Sequence, residues 1–98
     1  MSEAESPQQT CQRVIYSGSV QGVGFRWTAR SIARRFPVTG TVRNLADGTV
    51  ELVAAGPTAV VADFLDAVAE RMQRQISGVQ AQQIAPPEDF TRFEIRHH

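Results

Sequence analysis

Gly18-Ser19-Val20-Gln21-Gly22-Val23-Gly24-Phe25-Arg26 is the stretch on which the fold turns. A run of Val14, Ile15 and Tyr16 leads into it, and apolar residues at helical spacing lead out of it. The stretch therefore joins a strand to a helix. Glycines 18, 22 and 24 free the backbone to bend there, and Arg26 sits where the helix begins. Two readings are open at this point. The glycines could serve a plain strand-to-helix turn that needs positive φ. Alternatively, backbone N–H groups, a helix N-terminus and a guanidinium converge to hold an anion, phosphate above all. A dinucleotide fingerprint is excluded, because Gly24 is followed by Phe25, Arg26 and Trp27 with no third glycine in place. A Walker A loop is excluded because the chain contains no lysine.

Upstream, residues 13–20 alternate as a strand, with Val14, Tyr16, Gly18 and Val20 on one side. Downstream, Phe25, Ala29, Ile32, Ala33 and Phe36 fall on one helix face, and Pro37 ends that helix. Val38 to Asn44 reads as a second strand, with Val38, Gly40, Val42 and Asn44 on one side. Asp47-Gly48 is a hairpin turn, and Thr49 to Ala55 returns as a third strand. Gly56-Pro57 opens a second helix with Pro57 near its first position. Its apolar stripe is Val61, Phe64, Leu65, Val68 and Met72, and Ser77-Gly78 closes it. Val79 to Ile84 is a weak fourth strand, broken by Pro86-Pro87, and Phe93 to Arg96 forms a short last one. The order β-α-β-β-α-β with a small terminal strand predicts an α+β, ferredoxin-like split βαβ sandwich. Two helices pack on one face of an antiparallel sheet.

Composition bounds the rest. The 98 residues make one domain, enough for one modest core. Residues 1–10 are polar without a periodic pattern and read as a disordered leader; 11–98 read as the domain. Cys11 is the single cysteine, so no intrachain disulfide forms and a reducing, cytoplasmic setting is expected. No His, Asp or Glu neighbour equips Cys11 as a nucleophile. No apolar run is long enough to span a membrane. The net charge is zero, yet no acid lies between Glu5 and Asp47, an interval that holds Arg13, Arg26, Arg30, Arg34, Arg35 and Arg43. Such a basic half favours small anions. Arg30, Arg34 and Arg35 read mainly as a solvated helix face. A monomer is the default for a small uncharged domain of this kind.

No cluster has metal-ligand spacing, and His97 and His98 are the only histidines. Catalysis near the loop must then rest on positioning and electrostatics. A mixed carboxylic–phosphoric anhydride suits such a site. Its leaving carboxylate has a conjugate-acid pKa of about 4–5 and departs as an anion at neutral pH. What remains is to cradle the phosphate, neutralise it and orient a water. An amide can accept from water and donate at the same time. Asn44 ends the second strand, and in a split βαβ sheet the first two strands are parallel, so Asn44 lies at the same edge as the glycine loop.

Gly18 to Arg26, then Gly40-Thr-Val42-Arg43-Asn44, then Gly48-Thr-Val50 and Gly56, resemble the acylphosphatase family over about Cys11 to Arg96. The resemblance implies a small metal-independent enzyme with no cofactor, acting on small acyl phosphates and yielding a carboxylate and inorganic phosphate. It implies that Arg26 binds the phosphate, that the backbone of Gln21, Gly22, Val23, Gly24 and Phe25 cradles it, and that Asn44 orients the water. Tyr16, Thr41 and Ile76-Ser77-Gly78 depart from the family pattern at what read as packing positions. Two rival readings are a non-catalytic anion- or RNA-binding module of the same fold and a domain serving a larger carbamoyl-transfer enzyme. Trp27 reads as covering the helix or as flanking the substrate mouth, with the first preferred.

Overall fold

The computed structural model describes residues 8–97. Seven elements follow one another: β1 (Gln9–Gly18), α1 (Phe25–Ala33), β2 (Thr39–Asn44), β3 (Val50–Pro57), α2 (Thr58–Arg71), β4 (Ile76–Gln83) and β5 (Phe93–Arg96). They form one five-stranded sheet in the order β4-β1-β3-β2-β5. The α+β split βαβ sandwich is as expected, with one correction to the sheet. β1, β2, β3 and β4 pair antiparallel, but β5 pairs parallel with β2, Gly40 opposite Phe93 through Arg43 opposite Arg96. The sheet is therefore mixed. Residues 84–92 carry the chain from the β4 edge to the β2 edge, so β5 starts at the end of the sheet where β2 starts.

Several boundaries move for local reasons. β1 begins at Gln9, where Gln9 and Thr10 pair with Pro57 and Gly56. Of the expected leader, residues 1–7 lie outside the described residues. α1 stops at Ala33, ahead of Pro37, and the chain leaves it through tightened turns, Arg35 N–H to Ile32 O and Phe36 N–H to Ala33 O. The residue before a proline resists the helical region, so the last turn unwinds early. Pro57 remains in β3 and forms the N-cap of α2 at φ −58° and ψ 139°, an extended geometry its ring permits. α2 ends at Arg71, because the chain reverses over residues 72–75 through bonds to Met72 O. Ser77 and Gly78 thus lie inside β4 and do not close the helix; Gly78 faces Ser17, beside the register shift of β1.

Both helices cover one face of the sheet. Val14, Tyr16, Val42, Val50, Leu52 and Ala54 meet Phe25, Ala29, Ile32, Val61, Phe64 and Val68 there, all buried. Rings reinforce the layer: Phe64 lies 5.8 Å from Phe36 and 5.4 Å from Phe93. Tyr16 packs against Phe25 at 4.9 Å and so seats the first residue of α1. Burial pushes its phenol far above the ordinary value. On the other face Glu51 is buried between Arg13 (2.6 Å) and Arg43 (2.8 Å), next to buried Thr41. Cys11 is buried, and desolvation raises its thiol above the ordinary value.

Candidate active site

The loop after β1 takes its shape from glycine. Gly22 and Gly24 stand at φ 80° and 78°, in the left-handed region that other residues enter at a cost. Gly24 is also the N-cap of α1, and its carbonyl accepts from Thr28 N–H at 2.9 Å. The first N–H groups of a helix have no partner within it and carry a partial positive charge. Arg26 is the second residue of α1, so its guanidinium adds a full charge at that same end.

Gln21 fastens this loop to the neighbouring turn. Its side-chain amide donates to Leu45 O and to Thr49 O, both at 2.8 Å. The turn is itself held by Asp47, which accepts from the Thr49 hydroxyl at 2.6 Å and from Thr49 N–H at 3.1 Å. Those bonds, the hydroxyl first, hold the Asp47 carboxyl below its usual range. Asn44 is the last residue of β2 and directly precedes this turn. The loop and Asn44 are thus positioned by one shared set of hydrogen bonds.

They face a cavity of about 170 Å³ lined by Val20, Gly22, Gly24, Phe25, Arg26, Trp27, Asn44, Ile95 and His97. At about 30 Å³ per water in the liquid, that volume has room for a phosphoryl group and a water beside it. Of the residues expected at the site, Gly22, Gly24, Phe25, Arg26 and Asn44 are brought together here. Gln21 stands behind the wall as a brace, and Val23 is exposed on the loop's outer side. Two larger grooves flank α1, and neither contains the glycine loop or Asn44.

One feature of the cavity was not legible in the sequence, and a second was legible only as the less favoured of two readings. His97 reaches the cavity because β1, β2 and β5 all end at the same end of the sheet. Its Nδ1 lies 3.2 Å from Arg26 Nη1, which also points at Arg96 O at 3.5 Å. A guanidinium only donates, so the His97 ring nitrogen is the acceptor in this contact. Trp27 lines both the cavity and the groove between the helices while remaining 61% exposed, so it flanks the mouth as well as covering the helix. Among the described residues no group of three or more His, Cys, Asp or Glu side chains could hold a metal ion.

The sequence profile of the acylphosphatase family matches residues 12–95. The chain belongs to the acylphosphatase family. It is 37% identical over 81 residues to the acylphosphatase of Lactobacillus gasseri, covering 81% of this chain and 89% of that one. A shorter stretch of 51 residues is 53% identical to the acylphosphatase of Latilactobacillus sakei, 52% of this chain and 55% of that one. Among solved structures, the crystal structure of acylphosphatase from Bacillus subtilis is similar, with a TM-score of 0.78 at 30% identity, covering 91% of this chain and 99% of that one.

Proposed function

We propose that this acylphosphatase-family chain hydrolyses the carboxyl–phosphate bond of small acyl phosphates, with Arg26 and the backbone of residues 21–25 on the phosphate and Asn44 on the water. The observation that carries the proposal is the single cavity shared by the left-handed glycine loop, Arg26 and Asn44. The loop and helix N-terminus supply backbone donors to the phosphate oxygens, and Arg26 offsets their charge. The Asn44 carboxamide accepts from a water and donates to an oxygen, which holds the water in line with the bond to be broken. The water oxygen forms a bond to phosphorus, and the bond from phosphorus to the acyl oxygen breaks with its electron pair leaving on the carboxylate. The water's proton passes to a phosphate oxygen, so acyl phosphate dianion plus water gives carboxylate plus dihydrogen phosphate. No general acid is needed, because the carboxylate departs as an anion, and the phosphate oxygen that takes the water's proton stands in for a base.

The same reading has the chain act as a monomer in the cytoplasm, a setting that suits the free, buried thiol of Cys11. Base stacking on RNA finds no support in the aromatics. Tyr16, Phe25 and Phe64 are buried, and Trp27 is the one exposed Phe, Tyr or Trp ring among the described residues.

Hydrolysis of acetyl or benzoyl phosphate with and without EDTA tests the proposal. The wild type turns both over at rates that EDTA leaves unchanged. Arg26→Ala loses about 10²–10³-fold in kcat/KM, the scale of losing a charge-stabilising donor. Asn44→Ala loses about 10²-fold in kcat with little change in KM, because its partner is the water. Full kcat in Asn44→Ala would remove Asn44 from the mechanism.

A further inference from the structure

Beyond the phosphate cavity, α1 continues its positive edge. Arg26, Arg30 and Arg34 follow at intervals of four residues, so they lie along one side of the helix with an axial rise of about 6 Å per step. Arg30 and Arg34 line a groove between α1 and β5, with Arg92, Thr39 and Thr91 across from them. Ile95 and His97 belong to the walls of both this groove and the phosphate cavity. The two spaces therefore adjoin, and a ligand seated on Arg26 can extend into the groove past His97. Glu94 is the acid lining the groove, and Arg92 holds it at 2.9 Å. Among the described residues neither Arg30 nor Arg34 pairs with a carboxylate. Arg30 is also half-buried, so its charge is less screened than that of a free surface arginine. The groove is a cationic extension of the cavity that holds Arg26 and Asn44.

We infer that this groove binds the acyl portion of the substrate and selects acyl phosphates that carry a second anionic group, a carboxylate or a phosphate, one to two helical turns from the transferred phosphorus. Arg30 meets that group first and Arg34 stands one turn beyond it. This rests on the acyl-phosphate reading above and adds to it the substrate class. A bare acetyl group would leave the groove empty, whereas a charged acyl tail gains charge-assisted hydrogen bonds there.

The test compares kcat/KM for benzoyl phosphate with that for 4-carboxybenzoyl phosphate and 4-phosphonobenzoyl phosphate. In both, a rigid ring places the second anion away from the phosphorus and prevents it from attacking its own anhydride. The expected result is a preference of about five- to tenfold for the charged substrates, expressed in KM and shrinking as salt is raised. The two charged probes separate a carboxylate-selective groove from a phosphate-selective one. In Arg30→Gln the ratio of charged to uncharged kcat/KM falls toward one, and in Arg30→Glu it falls below one. Using a ratio within each variant removes general damage to folding or to the phosphate loop. Equal kcat/KM for charged and uncharged substrates in the wild type overturns the inference. So does a preference that survives in the Arg30→Gln/Arg34→Gln double variant. If the wild type fails to hydrolyse benzoyl phosphate at all, the acyl-phosphate reading is at fault, and the inference falls with it.

Discussion

Gln21 uses its side chain for work that the sequence assigns only to its backbone. Its amide bonds to Leu45 O and Thr49 O tie the glycine loop to the turn that follows Asn44. Gln21→Ala should therefore cost about 1–2 kcal/mol in urea unfolding, for two lost hydrogen bonds. It should also lower kcat by roughly tenfold, because Asn44, proposed to orient the water, would lose its register with the loop proposed to hold the phosphate. Equal kcat in the variant would mean that the brace does not govern the site. Glu51 is a second residue whose role lies in its partners. Burial alone would raise its carboxyl, but hydrogen bonds from Arg43 and Arg13 outweigh that and hold it below the usual value. A carboxyl depressed on folding contributes stability above its unfolded pKa, near 4.3, and loses it as pH falls through the folded value. Glu51→Gln should be less stable at pH 7 by about 1 kcal/mol, a modest figure because both arginines are more than a third exposed. Between pH 5 and pH 3 the variant should lose less stability than the wild type, so the two unfolding curves converge. Arg26 and Asn44, which line the cavity, were legible as candidates because the chemistry proposed for them belongs to the side chain itself. The Gln21 brace was not, since nothing in a sequence shows which carbonyls an amide will find.

At the scale of elements, two glycines separate strain from collision. Gly40 sits in β2 at φ 154°, and a Cβ there would lie 1.8 Å from the Val53 carbonyl oxygen of β3. Gly40→Ala should destabilise by about 3 kcal/mol or more, since backbone must move to admit it. Gly24 has φ 78°, but a Cβ there meets nothing within 4 Å. Gly24→Ala carries only the left-handed penalty, about 1–2 kcal/mol, and can relieve it by reshaping the loop. Its expected signature is a near-native urea midpoint with a large loss of phosphate affinity, whereas Gly40→Ala shows the reverse order of damage. The elements themselves were legible wherever the period was strong. The stripe Phe25, Ala29, Ile32 and Ala33 is buried as its spacing requires. Boundaries failed where punctuation was ambiguous. Pro57 fits the end of a strand and the start of a helix equally well, and Ser77-Gly78 resembles a helix stop but lies in β4. The departures at Tyr16 and Thr41 are packing choices, with Tyr16 against Phe25 and Thr41 buried on the face opposite the helices.

Taken as a whole, the molecule builds its candidate site from three separated parts of the chain: the loop after β1, the end of β2 and the end of β5. The first two were legible because the split βαβ order makes β1 and β2 parallel. The third was not. The direction of β5 depends on the path of residues 84–92, which carry no periodic pattern beyond Pro86-Pro87. His97 enters the site only once that path is known. A ligand that ties three such segments together stabilises the entire fold, because none of them holds its place in the unfolded chain. At tenfold over its dissociation constant, inorganic phosphate should add about 1.4 kcal/mol, from RT ln(1 + [L]/Kd). For a domain of this size that raises Tm by roughly 5–10 °C. Phosphate is also excluded from protein surfaces and stabilises folds in general. The comparison that decides is therefore the wild type against Arg26→Ala over one phosphate series at constant ionic strength. The expected outcome is a saturating rise in the wild type and a shallow, non-saturating rise in the variant. Equal slopes in the two would show phosphate acting only on the surface, and the loop after β1 would then be a turn and not an anion site.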